Sequence, residues 1–206
     1  MKKQRVWQFV WAALAWFAFK SRILKLNSVI HRFLYDRKYA GTPVATYKTV
    51  NELANWMAQQ KWVGDDWTSL WDAWCTPNKI QAVGQTDGSH EIGDCDEFAI
   101  YISAAVEKSL ALGTLESGID RARVLTVMWT DGYKVGGHNV ALFSYKQVTD
   151  GATWYAYMDY SMPSVKRLTI QQVVQDVRDL YANGSLGLGW AVSTFDMKLE
   201  QFRFKG

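Results

Sequence analysis

The sequence predicts an α+β domain, and three observations lead there. Apolar residues recur at helical spacing through the first half, short β-rich runs separated by Asp-Gly pairs follow, and the chain closes on an alternating segment. Its 206 residues amount to about one domain, with room for an appended arm.

The arm comes first. Val6 to Phe19 is apolar except for Gln8, yet at 14 residues it is short for a membrane span, which takes about 20. A basic start and Ala13-Leu14-Ala15 give it some look of a signal peptide, but the apolar run continues through Trp16, Phe17 and Phe19. Ile23, Leu24, Leu26, Ile30, Phe33 and Leu34 then recur among basic residues, predicting an amphipathic basic helix. Residues 1–38 hold nine basic side chains and one acid, a balance of +8, against −5 for the rest of the chain. An arm over residues 1–40 and a body over 41–206 is the expected division. The arm would pack on its own domain, on a protein partner or on a membrane surface. Nucleic acid is not expected, because the basic residues form no face with a base-stacking pattern.

Gly41-Thr42-Pro43 ends the arm. Thr49 to Lys61 predicts a helix capped by Thr49 or Asn51, with Leu53, Trp56, Met57 and Gln60 on one face. Asp65 to Trp74 predicts a second, short helix stopped near Pro77, and Gly84 to Gly93 a polar loop. Asp96 to Leu112 is the strongest helical pattern, closed by Gly113. Val124 to Trp129, His138 to Tyr145 and Thr153 to Asp159 then read as strands of an antiparallel meander, turned at Asp131-Gly132 and Asp150-Gly151. Ile170 to Tyr181 predicts an amphipathic helix ending at Asn183-Gly184, and Phe195 to Phe204 a last strand.

Composition removes several classes. With 49% hydrophobic residues and three prolines the chain can bury a core, so it is not disordered or collagenous. Two cysteines make one bridge at most, which excludes a disulfide scaffold. No CxxC pair and no HExxH occurs, so zinc is poorly supported, and His90 with Cys95 lacks further ligands.

Chemistry concentrates on Cys95, His138 and Asp159. Cys95 follows Gly93-Asp94 where the strong helix begins, and the positive end of the helix dipole favours a thiolate there. Gly93 would leave room for a substrate backbone, and the free N–H groups of the first turn could hold an oxyanion. His138 opens a strand after Gly136-Gly137, and Asp159 closes the next one, so a single turn would bring them side by side. A carboxylate so placed fixes the imidazole tautomer. Taken singly each has a bland reading: a buried thiol, a satisfied edge histidine, an aspartate before a turn.

The stretch Gly93-Asp94-Cys95-Asp96-Glu97-Phe98-Ala99 resembles the nucleophile motif of the bacterial transglutaminase-like cysteine proteinases, within the transglutaminase/papain-like superfamily. Trp74 with Pro77, Gly137-His138-Asn139-Val140 and Tyr157-Met158-Asp159 agree with it, over about residues 65–160. The resemblance implies a papain-like core with the nucleophile helix packed on an antiparallel sheet. It also implies Cys95 as nucleophile, His138 as base and acid, and Asp159 as orienter. A second oxyanion donor in the superfamily is a tryptophan or glutamine upstream of the cysteine, for which Trp74 and Gln85, with Trp71 and Gln81, are the candidates here.

Asp94, Asp96 and Glu97 oppose the thiolate by charge, and their plain role is capping. The sharper one is calcium, implied by periplasmic members resembling this family, with Asp94 and Asp96 as ligands. A Cys75–Cys95 bridge would consume the nucleophile, so a reducing compartment is expected, the cytoplasm ahead of the periplasm or a membrane-associated state. The expected function is hydrolysis of amide or peptide bonds in a protein substrate through a thioester. The alternatives are acyl transfer to an amine, or an assembly protein that keeps the fold and docks through its arm.

Overall fold

The structure is a computed structural model and describes residues 37–63, 75–86, 90–116, 118–132, 135–146, 151–160, 162–196 and 198–204. The expectations for residues 1–36, for a helix over Asp65 to Trp74, and for Trp71 and Trp74 lie outside the described residues. Among the described residues, no helix is long and apolar enough to cross a membrane.

Local signals set the helix starts. Helix α1 (Val50–Met57) begins at Thr49, whose side chain accepts from the Glu52 backbone while Glu52 reaches back to the cap. Such a reciprocal box replaces lost intrahelical partners, and its side chain is worth about 1 kcal/mol. Strand β1 (Lys61–Trp62) follows. Helix α2 (Pro77–Thr86) was not expected: the proline opens it, at a position where its missing N–H costs nothing. The predicted loop 84–93 is corrected in two places, because α2 runs to Thr86 and β2 (Glu91–Gly93) pairs in parallel with β1. Helix α3 (Cys95–Ala111) has Asp94 as its N-cap, in a box closed by Glu97. Twelve of its 17 residues are buried, so it is a central helix covered on several sides.

The remaining elements form the sheet: β3 (Ile119–Thr130), β4 (Val135–Lys146), β5 (Thr153–Asp159), β6 (Met162–Pro163), β7 (Leu186–Ser193) and β8 (Leu199–Phe204). Helix α4 (Ile170–Tyr181) stands between β6 and β7 in the chain and starts with a third box, Thr169 with Gln172. The strand order is β6-β5-β4-β3-β7-β8, and every neighbouring pair is antiparallel. A plain meander was expected. Instead, the chain crosses the sheet through α4 and lays β7 on the far side of β3. The final strand is also shorter than expected, since Thr194 Oγ1 accepts the Lys198 N–H at 2.9 Å and turns the chain before Leu199.

The two faces carry different helices. Ala122, Val124, Ala141, Phe143 and Met158 pack with α3, α1 and α2. Leu125, Val127, Val140, Leu142, Tyr157 and Trp190 pack with Ile170, Val173, Val174 and Val177 of α4. Side chains alternate along a strand, so β3, β4 and β5 each feed both cores. Truncating a residue as deeply buried as Ile102 costs about 2–5 kcal/mol.

Candidate functional site

The site lies where the N-terminus of α3 meets the start of β4 and the end of β5. Asp94 Oδ1 accepts the Asp96 N–H at 2.9 Å, and Glu97 Oε2 accepts the Asp94 N–H at 3.1 Å. The box also engages the Glu97 N–H. Two first-turn donors expected for an oxyanion, those of Asp96 and Glu97, therefore serve the cap. Gly93 has φ +128°, and a Cβ there would meet the Glu97 carboxylate at 2.6 Å. The space expected for a substrate backbone at Gly93 thus holds the Glu97 side chain.

Cys95 Sγ lies 3.8 Å from Asp96 Oδ1 and 3.9 Å from Asn139 Nδ2. Asp96 is buried, and its Oδ1 also accepts from Asn139 Nδ2. Asn139 is fixed in turn by Thr126, whose hydroxyl donates to Asn139 Oδ1 at 2.5 Å. The polar set Cys95, Asp96, Asn139 and Thr126 therefore occupies the α3 face of the sheet.

His138 is the next residue on β4 and faces the other way. Its Nε2 stands 3.1 Å from Asp159 Oδ1, with both side chains largely buried. Its ring lies against that of Tyr181, at the end of α4, with centroids 3.9 Å apart and the planes tilted by 32°. The Tyr181 hydroxyl donates to Asp159 Oδ2. The carboxylate is thus held at both oxygens. Burial first, then the bond to Asp159, push the Tyr181 phenol well above its usual range, so it stays a donor.

The structure brings His138 and Asp159 together, and it brings Cys95 to Asp96 and Asn139. Tyr160 stands between the two groups. Its ring meets Phe98 edge-on at 5.0 Å and lies 5.9 Å from the His138 ring. Burial first, then the charges of Asp159, Cys95 and Asp94, hold its phenol protonated. Tyr160 and Tyr181 were not foreseen. Tyr181 had a legible signal, because it extends the apolar stripe Ile170, Val173, Val174, Val177 by one more turn.

The other expected residues fall as follows. Gln85 is exposed near the end of α2. Gln81 is buried, and its Oε1 is taken by the Ala45 N–H at 2.7 Å and by the Tyr101 hydroxyl. One ligand atom each from Asp94, Cys95 and Asp96 lie within 4.8 Å of one another. Calcium takes six or more oxygens. Here Asp94 Oδ1 and Asp96 Oδ1 already accept protein N–H groups, so these acids serve first as cap and as anchor for Asn139. Both cysteines are free thiols. Cys75 Sγ accepts from Lys79 Nζ at 2.8 Å, and burial followed by repulsion from Glu97 pushes the thiol up to about 12.

Set against family models, curated proteins and solved structures, the chain gives no match.

Proposed function

We propose that this chain is a cysteine-dependent hydrolase of amide or peptide bonds with a papain-like core, in which Cys95 is the nucleophile and His138 with Asp159 forms the base pair. The observation that carries this reading is the 3.1 Å contact of His138 Nε2 with Asp159. It makes Nε2 the protonated nitrogen and leaves Nδ1 to accept a proton from a thiol. A buried carboxylate held by a tyrosine has no packing advantage over an apolar residue, so its presence beside an imidazole favours a chemical role.

In this mechanism Nδ1 of His138 takes the thiol proton of Cys95. The thiolate attacks the carbonyl carbon. The tetrahedral intermediate expels the amine, which leaves with the proton from Nδ1, and a thioester remains. Water then attacks, passes its proton to Nδ1, and the carboxylic acid departs as the sulfur is reprotonated. An amine in place of water gives acyl transfer with the same residues. Asp159 holds the ring in one tautomer, and Tyr181 holds Asp159.

A second reading rests on a specific observation too. Cys95 touches Asn139, while His138 turns to the opposite side of the strand, and this separation favours an assembly protein that keeps the fold. Residues 1–38 would then supply the docking arm, for a protein partner or a membrane surface, in either reading.

The deciding experiment is acylation by a p-nitrophenyl ester, followed by intact mass at pH 6. Wild type should show a burst and an adduct at Cys95, absent in Cys95→Ala and slowed at least 100-fold in His138→Gln. Equal acylation of wild type and His138→Gln would overturn the hydrolase reading in favour of the assembly one. Adding an amine separates hydrolysis from transfer by the mass of the product.

A further inference from the structure

The α4 face of the sheet holds a second feature, and it stands whether or not Cys95 is a nucleophile. Val127 pairs with His138 on one side and with Trp190 on the other, and Trp190 pairs with Arg203. His138, Val127, Trp190 and Arg203 thus form one row across four strands. At about 4.8 Å per strand, Trp190 sits about 10 Å from His138 along the row. Beside it, between α4 and the β7–β8 pair, lies a cavity of about 240 Å³.

Its walls are unusual in charge. Arg178 and Arg203 line it together with Gln171, Gln175, Val174 and Trp190, and among the described residues none of its lining residues is acidic. The nearby acids already have partners: Asp176 holds Arg167 at 2.6 Å and 2.9 Å, and Asp179 accepts from the lining Gln175 at 2.6 Å. Arg178 is fixed by donation to the Ser185 carbonyl at 2.8 Å and to Gln175 Oε1 at 3.4 Å. Its Nε is buried and has no hydrogen-bond partner among the described residues. A buried, unpaired guanidinium donor costs free energy unless a ligand satisfies it.

Two lining glycines let neighbouring groups come close. A Cβ at Gly187 would meet the Arg178 guanidinium at 2.9 Å, and one at Gly189 would meet the Arg203 carbonyl oxygen at 2.5 Å. Both lie on β7 inside the sheet, where glycine weakens a strand and marks a close approach. Trp190 and Val174 add an apolar floor, both largely buried. The volume is below that of drug-sized sites and suits a group the size of one residue.

We propose that this cavity binds a carboxylate carried on a short apolar body, with Arg178 and Arg203 on the carboxylate and Trp190 and Val174 under the body. The carboxylate comes from a free small acid or from an acidic side chain of a peptide, and the chemistry is the same for both.

The test is NMR titration of the full-length protein with butyrate, butyramide, butylamine, inorganic phosphate and a blocked Gly-Gly-Glu-Gly-Gly peptide. Butyrate should give saturable shifts at residues 171–178, 187–190 and 203, and butyramide and butylamine should not. Arg178→Gln and Arg203→Gln should each weaken binding about tenfold, as for loss of a charge-assisted bond. Gly187→Val should abolish it. Tighter binding of the peptide than of butyrate identifies an acidic peptide as the ligand, and the reverse order identifies a free acid. Arg203 is exposed, so its variant decides the matter if Arg178→Gln fails to fold. Shifts that do not saturate, equal shifts with butyramide, phosphate binding as tight as butyrate, or undiminished binding in Arg203→Gln would overturn the proposal.

Discussion

His138 and Tyr181 lie ring to ring with centroids 3.9 Å apart, although one lies near the start of a strand and the other closes a helix 43 residues later. The hydroxyl of that tyrosine reaches Asp159, so one side chain braces both members of the pair. Tyr181→Phe keeps the ring contact and removes only the bond to the carboxylate. We expect stability within about 1 kcal/mol of wild type, because the tyrosine is partly exposed. Ester acylation should fall about three- to tenfold, and Tyr181→Ala should lose more. Measured burst rates for the two variants check this, and identical rates would reduce Tyr181 to packing.

The two thiols should differ sharply. Burial and the Glu97 charge push Cys75 up to about 12, so below pH 9 it is almost entirely a thiol. Iodoacetamide at pH 7.5 should modify Cys95 and spare Cys75 in the native protein, and modify both in urea. Peptide mapping reads the ratio. Native labelling of Cys75 at the faster rate would contradict the burial argument.

Glu97 gives a pH signature. Burial first, then the Asp94 charge, raise its carboxyl to about 7, above an unfolded value of about 4.5. Between those values the folded state holds a proton that the unfolded state has lost. The contribution is therefore complete below about pH 4.5 and disappears as pH rises through 7. Glu97→Gln cannot ionise and keeps one acceptor oxygen, enough for either the Cys75 or the Asp94 N–H but not both. Urea unfolding should show wild type losing on the order of 2 kcal/mol relative to the variant between pH 5 and pH 8. Parallel curves would refute the raised value.

Gly93→Ala should be among the costliest small substitutions. Its φ of +128° disfavours any side chain, and the new methyl would displace the Glu97 carboxylate from the cap. Strain of about 1–3 kcal/mol adds to a cap worth about 1 kcal/mol. Thermal melting with Gly113→Ala as comparison separates the two terms, since φ is +65° there and a Cβ meets nothing within 4 Å.

A chain starting at Gly41 should melt cooperatively yet lose vesicle co-sedimentation or assembly, because the +8 arm is gone. An insoluble or molten product would make the arm part of the core.

What the sequence alone determined about this protein is local. The starts of α1, α3 and α4 were legible because Thr49 with Glu52, Asp94 with Glu97, and Thr169 with Gln172 cap within one turn. The pairing of β4 with β5, and the approach of Asp159 to His138, followed from a single short connection. Tertiary structure decided the rest. Leu186 to Ser193 holds two glycines among its apolar residues and lacks clean alternation, so β7 exists because β3 had an edge left to pair. Which face His138 presents depends on register, and one residue of register separates the α3 side, where Asn139 meets Cys95, from the α4 side, where His138 meets Tyr181. Sequence spacing measures distance along the chain. Hydrogen bonds between strands and packing of helices on a sheet join segments far apart along it, and only those contacts choose the side of the sheet on which each side chain ends.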